Sequence, residues 1–119
     1  VYIQYANVRA KKLIKDSSLE VTDFSILSEE LDNYDKSLLR SFIKFEFYFE
    51  QTIKNNEPHH LADYLYEISQ KFNGMYQGIN ILQNENTLLK KNKLKITDLF
   101  LQYSNLLMEC LGILPVKKM

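Results

Sequence analysis

Residues 59–76 read HHLADYLYEISQKFNGMY, and the fold turns on how this stretch is read. Leu61, Leu65, Ile68, Phe72 and Met75 recur three or four positions apart. That is the period of one buried face of an α-helix, not the alternation of a strand. Pro58 stands just before it, a favourable residue for a first helical turn. Asn73-Gly74 closes the helix, or Gly74 allows close packing near its end. The stretch also holds two adjacent histidines and four aromatic residues. It could be a metal or catalytic site, an ordinary core helix, or a surface that holds something flat.

Helical periodicity continues on both sides. A first helix spans about Val1 to Lys15: Tyr2, Tyr5, Ala6, Arg9 and Leu13 share one face, and Ile3, Ala10 and Ile14 form a neighbouring apolar strip. Asp16 to Asp35 mixes polar and apolar residues and reads as a connection, with one short helix around Ser25 to Leu31. A second helix covers about Asp35 to Asn55, with Leu38, Phe42, Phe45, Phe49 and Ile53 at helical spacing. Its FEFYFE run also resembles strand alternation, which predicts a kink near Phe47. It ends before Pro58, because the residue preceding a proline avoids the α region. Gln77 to Asn92 is Asn-rich and reads as a loop. The last helix covers about Leu94 to Leu111, with Ile96, Phe100, Tyr103, Leu107 and Leu111 as its stripe. Gly112 suits the left-handed residue that follows a helix, and Pro115 prevents continuation. The expectation is an all-α bundle of four to five helices joined by short connections.

Composition narrows the function. The 119 residues suit one domain. Hydrophobic residues at 45% and charged residues at 25% allow a core and a charged surface together. The single Cys110 cannot form an internal disulfide, which suits a reducing, cytoplasmic setting. No apolar run approaches the roughly 20 residues that span a bilayer, so no membrane partner is expected. Fifteen basic residues balance fifteen acidic ones, which does not describe a generic nucleic-acid binder. The charge is uneven, however. Lysines gather at 11, 12 and 15, at 90, 91, 93 and 95, and at 117 and 118, while acidic residues gather between Glu29 and Asp35. The ordinary reading of such clusters is a solvated face; the functional one is that some meet phosphates.

Catalytic and metal readings find little support. Side chains at His59 and His60 diverge by about a quarter turn on a helix, whereas paired zinc ligands on a helix usually stand four apart. Nothing local activates Cys110, and there is no phosphate-binding glycine loop. The chain is expected to carry no catalytic residue, no metal site and no cofactor of its own. Most aromatic residues read as core, but three tyrosines do not. Tyr2 and Tyr5 share a face with Arg9, whose guanidinium is costly to bury alone. Tyr76 lies just beyond Gly74, near an expected helix end. Tyrosine and arginine together offer flat faces with polar tips, which suits stacking on an unpaired base.

At these residues the chain resembles the C-terminal helical domain of arginyl-tRNA synthetases, the DALR-type anticodon-binding domain. YIQYANVR at Tyr2 to Arg9 is similar to that family's Y-x-Q-Y-A-x-x-R helix. PHHLADYLYEISQKFNGMY at Pro58 to Tyr76 is similar to its P-H-x-L-x-x-Y-L-x-x-L-x-x-x-F-x-x-x-Y pattern. LGILPVKKM at Leu111 to Met119 resembles the family's chain end, which finishes on methionine. The blocks fit in order and spacing, so residues 1–119 would form one such domain. A Rossmann-type catalytic domain is then expected upstream of Val1.

The resemblance implies a parent enzyme that attaches arginine to its tRNA using ATP, with magnesium. Partners would be the anticodon loop of arginine tRNA and the enzyme's own catalytic domain. Tyr2, Tyr5 and Arg9 match positions that face the anticodon loop. Tyr76 and Met119 match positions that form a pocket for an anticodon base. His59, Leu61, Tyr64, Leu65 and Phe72 match scaffold. Three departures stand out: Asn7 where His is common, Lys117 where Glu is frequent, and no proline in FEFYFE. The rival reading is a helical protein–protein interaction module that offers its aromatic stripes to a partner helix.

Overall fold

A computed structural model describes residues 2–17, 31–57, 59–78 and 87–112. It contains five helices and no strand among the described residues: α1 (Tyr2–Ser17), α2 (Asn33–Ile43), α3 (Phe45–Asn55), α4 (His59–Gly78) and α5 (Thr87–Leu111). The all-α expectation holds. The short helix expected around residues 25–31 falls almost wholly outside the described residues.

The 59–76 stretch is the centre of the fold. Leu61, Leu65, Ile68, Phe72 and Met75 are all buried, and α4 packs against each of the other four helices. Phe72 stacks on Phe100 of α5, with ring centroids 4.6 Å apart and planes 2° from parallel. Ala6, Ala10 and Leu13 bury the inner side of α1. Gly74 does not end α4, which runs four residues further. It permits close packing instead: a Cβ there would stand 3.0 Å from the Tyr34 ring.

Helix α2 starts two residues before the expected Asp35, because Asp32 caps it. The Asp32 carboxylate accepts from the Asp35 amide at 2.9 Å, and the Asp35 carboxylate accepts from the Asp32 amide at 3.2 Å. Each thus satisfies an amide that the helix start leaves without a partner. The expected single helix from 35 to 55 is broken at Lys44, three residues before the predicted kink. The Tyr64 hydroxyl of α4 donates to the Ser41 carbonyl, which Phe45 would use in a continuous helix. Lys44 N–H turns back to the same carbonyl at 3.1 Å. A side chain inserted into the backbone ladder is a recognised cause of a helix break. Burial raises the Tyr64 phenol pKa, with Tyr103 and Glu67 adding to the shift. The break also resets the stripe: Leu38 and Phe42 are buried, Phe45 and Phe49 are half-buried, and Ile53 is exposed.

Helix α5 begins at Thr87, so the loop expected from 77 to 92 is shorter at both ends. The added turns bury Lys93, whose ammonium reaches Asp32 at 2.7 Å and Asp35 at 2.8 Å. Gly112 ends α5 with φ of +74°, as its position predicted. Among the described residues no helix is long and apolar enough to cross a membrane.

Candidate nucleic-acid interface

On α1, the 3.6-residue period places Tyr2, Tyr5 and Arg9 on one side while Ala6, Asn7 and Ala10 turn inward. Asn7 fixes this orientation. It is fully buried, and its amide donates to Ser104 Oγ at 2.7 Å and to Asn105 Oδ1 at 2.9 Å on α5. Asn7 Oδ1 finds no partner among the described residues. The departure at position 7 therefore serves as a clamp that turns the Tyr2–Arg9 face outward.

Arg9 is the centre of the site. Its guanidinium lies 4.3 Å from the centroid of the Tyr5 ring and 5.1 Å from that of Tyr76. Nη1 donates to Asn73 Oδ1 at 3.1 Å. Two aromatic faces attract the cation through their quadrupoles, and one amide oxygen fixes its rotation. No carboxylate pairs with it among the described residues. A guanidinium has five N–H donors, so most remain for a ligand.

Beside it lies an open groove of about 470 Å³ between α1 and α4, lined by Tyr2, Tyr5, Arg9, Gln70, Asn73, Gly74 and Gln77. Tyr2 and Tyr5 are exposed, at 42% and 39%. Of the five residues expected at the site, four come together: Tyr2, Tyr5 and Arg9 line the groove, and Tyr76 supports Arg9 from the core side, 6.0 Å from Phe72. Met119 lies outside the described residues, as do Lys117 and Lys118. The sequence reading missed Gln70, Asn73 and Gln77. Their spacing of three and four was visible as an amide stripe along α4, and Asn73 had been read only as a helix-ending signal.

Two charge readings need correction. Lys93 is not available to phosphate: it is buried against Asp32 and Asp35. Lys95 pairs with Asp98 at 3.7 Å. Part of the sequence-level charge asymmetry thus cancels inside the fold. Asp32 titrates below its usual value: burial opposes ionisation, but the hydrogen bond from Lys93 and the Asp35 amide outweigh it. Asp35 titrates above, because burial prevails over Lys93.

The histidines also differ from expectation. Their rings do not diverge but touch, with centroids 4.2 Å apart. His60 Nε2 lies 2.9 Å from the Glu57 carboxylate and His59 Nε2 lies 3.8 Å from it. His59 is exposed and is no part of the scaffold, whereas Leu61, Tyr64, Leu65 and Phe72 are buried. The three donor groups lie within 4.8 Å of one another on the surface. They stand at the start of α4, about 20 Å of helix from Asn73, and do not line the groove.

The family described as DALR anticodon binding domain matches residues 3–119. The arginine–tRNA ligase of Pasteurella multocida is 33% identical over 119 residues, covering 99% of this chain and 21% of that protein. That of Methanopyrus kandleri is 28% identical over 118 residues, covering 99% and 20%. The structure of Thermus thermophilus arginyl-tRNA synthetase superimposes with a TM-score of 0.86 at 22% identity, covering 99% of this chain and 21% of that one, a likeness of fold. The chain spans about a fifth of the length of the curated relatives it matches. The match over residues 3–119 shows the family: the chain belongs to the DALR anticodon binding domain family.

Proposed function

We propose that this chain is the anticodon-binding domain of an arginine–tRNA ligase, and that the α1–α4 groove receives an unpaired base of the anticodon loop of arginine tRNA. The observation that carries this reading is Arg9, held between the Tyr5 and Tyr76 rings and free of any carboxylate among the described residues. An unpaired base offers a flat face to stack and edges to hydrogen-bond. The groove supplies tyrosine faces, a guanidinium and three amides. Met119 joins Tyr76 in this reading, its thioether adapting to a flat ring. Exposed Lys12 and Lys15 are placed on the same helix to meet phosphates.

The relatives are about five times as long as this chain, so the proposal includes a catalytic domain in the same protein. That domain would use ATP and magnesium to attach arginine. The exposed apolar side chains of Ile43, Phe47 and Ile53 are the surface proposed to meet it. The cytoplasm is the compartment this reading implies.

The test is Arg9→Ala in the full-length protein. Affinity for an arginine tRNA transcript should fall about tenfold, as expected for loss of one stacking and hydrogen-bonding group. Binding of arginine and ATP should be unchanged. Equal losses for all three ligands would make Arg9 a structural residue and defeat the reading.

A further inference from the structure

The turn between α3 and α4 gathers three metal-ligating side chains that do not line the groove. Glu57, His59 and His60 each present a donor atom, and these atoms all lie within 4.8 Å of one another. His60 Nε2 is 2.9 Å and His59 Nε2 is 3.8 Å from the same carboxylate oxygen, Glu57 Oε2. Ligands stand about 2.0–2.2 Å from a zinc ion, which at tetrahedral or octahedral angles puts them about 2.8–3.6 Å from each other. One of the two distances falls within that span and the other lies just beyond it. Small side-chain rotations bring both nitrogens and the oxygen onto one ion.

The backbone sets this geometry before any ion arrives. Asn56 takes the left-handed conformation, with φ 53° and ψ 43°, and ends α3. Glu57 N–H donates to the Thr52 carbonyl, and the Glu57 carbonyl accepts from His60 N–H, each at 3.3 Å. Position 57 is thus tied to both helices. The two histidine rings close on its carboxylate, their centroids 4.2 Å apart. A helix that supplies both ligands by itself usually needs its histidines four apart. Here the turn supplies the third ligand, and adjacent histidines suffice.

The donor set selects the metal. Two imidazoles and a carboxylate suit zinc, copper and nickel, whereas magnesium and calcium call for oxygen ligands. A helix N-terminus carries partial positive charge and opposes any cation; the Glu57 charge and the imidazole–metal bonds act against it. None of the three side chains is buried, which leaves the remaining coordination positions to water.

We propose that Glu57, His59 and His60 form a binding site for a zinc-class divalent ion, which pins the first turn of α4 to the turn that follows α3. Helix α4 packs against each of the other four helices, so the ion acts on the bundle as a staple and has no part in the groove.

The experiment uses the full-length protein, stripped of metal with a chelator, and zinc chloride as the probe. Isothermal titration should find one more zinc ion in wild type than in Glu57→Ala, His59→Ala or His60→Ala, with a Kd on the order of 10 μM. Magnesium chloride should show no such difference. Circular dichroism of the metal-free variants is the folding control. A second measurement needs no variant. Copper with ascorbate oxidises the side chains that hold the copper, and peptide mass spectrometry of wild-type protein should find that oxidation at His59 and His60, suppressed by excess zinc. Equal zinc stoichiometry and affinity in wild type and all three variants would overturn the site. So would a wild-type Kd at this site weaker than about 1 mM, or copper oxidation that spares both histidines.

Discussion

Arg9 donates to the side-chain oxygen of Asn73 across 64 positions of sequence. The bond does two things at once. It ties α1 to α4, and it holds the guanidinium near the Tyr5 and Tyr76 rings. Because the acceptor is an amide rather than a carboxylate, the positive charge of Arg9 has no counter-charge among the described residues.

Asn73→Asp separates these two roles. A carboxylate at position 73 would pair with Arg9 through a charge-assisted bond, about twice as strong as a neutral one. The fold should be no less stable. Binding of arginine tRNA should fall about tenfold, because the pair removes the cation and adds a negative charge beside the ligand's phosphates. Thermal melts beside equilibrium tRNA binding check this. A variant that binds tRNA as wild type does would show that the charge of Arg9 is not used.

Lys93→Met tests the buried ion cluster. Lys93 and Asp35 are both fully buried. Removing one partner leaves the other charge without compensation, which costs about 3–5 kcal/mol of stability. Denaturant unfolding should show a loss of that order. Lys93→Met combined with Asp35→Leu should recover part of it, since well-packed apolar groups can replace a buried pair. The recovery is incomplete, because Asp35 also closes the α2 capping box.

The same cluster sets a pH dependence. The folded state lowers the Asp32 pKa below its ordinary 3.8, so Asp32 contributes stability that is complete above 3.8 and is lost as pH falls through the lower folded value. Asp35 opposes this: its raised folded pKa means that it takes up a proton first, above 3.8, and that protonation favours the fold. In Asp32→Asn the Asp32 contribution disappears. The variant should be less stable than wild type at about pH 7, with a deficit that narrows toward about pH 3. Urea unfolding across that range checks it; a deficit independent of pH would assign Asp32 a capping role alone.

The sequence made some of these features legible and hid others, for physical reasons. The α4 stripe was readable because helical burial is periodic over a few residues. The Tyr2, Tyr5 and Arg9 face was readable for the same reason. The break at Lys44 was not, because its cause is the Tyr64 hydroxyl, 23 positions away. The Lys93 cluster was misread as surface because its partners stand 58 and 61 positions distant. Charge runs look alike whether solvated or buried until the fold brings the opposite sign to them. Asn73 was missed because an Asn-Gly pair usually signals an ending, and only the packing of α1 shows that the helix continues with Asn73 aimed at Arg9.

Gly74 and Tyr34 give the last prediction. Glycine inside a helix costs about 1 kcal/mol relative to alanine, so Gly74→Ala would ordinarily stabilise α4. Here the new Cβ would meet the Tyr34 ring at 3.0 Å, closer than carbon atoms rest. Tyr34 is 51% exposed, so its ring can swing outward, giving up its contact with the helix. The two effects should nearly cancel, leaving Gly74→Ala within about 0.5 kcal/mol of wild type. In a Tyr34→Ala background the clash is gone, and the same substitution should stabilise by close to the full helix-propensity difference, about 1 kcal/mol. A double-mutant cycle by chemical denaturation measures the difference. Equal effects in both backgrounds would mean that the Tyr34 ring does not limit position 74, and that its glycine serves the groove instead.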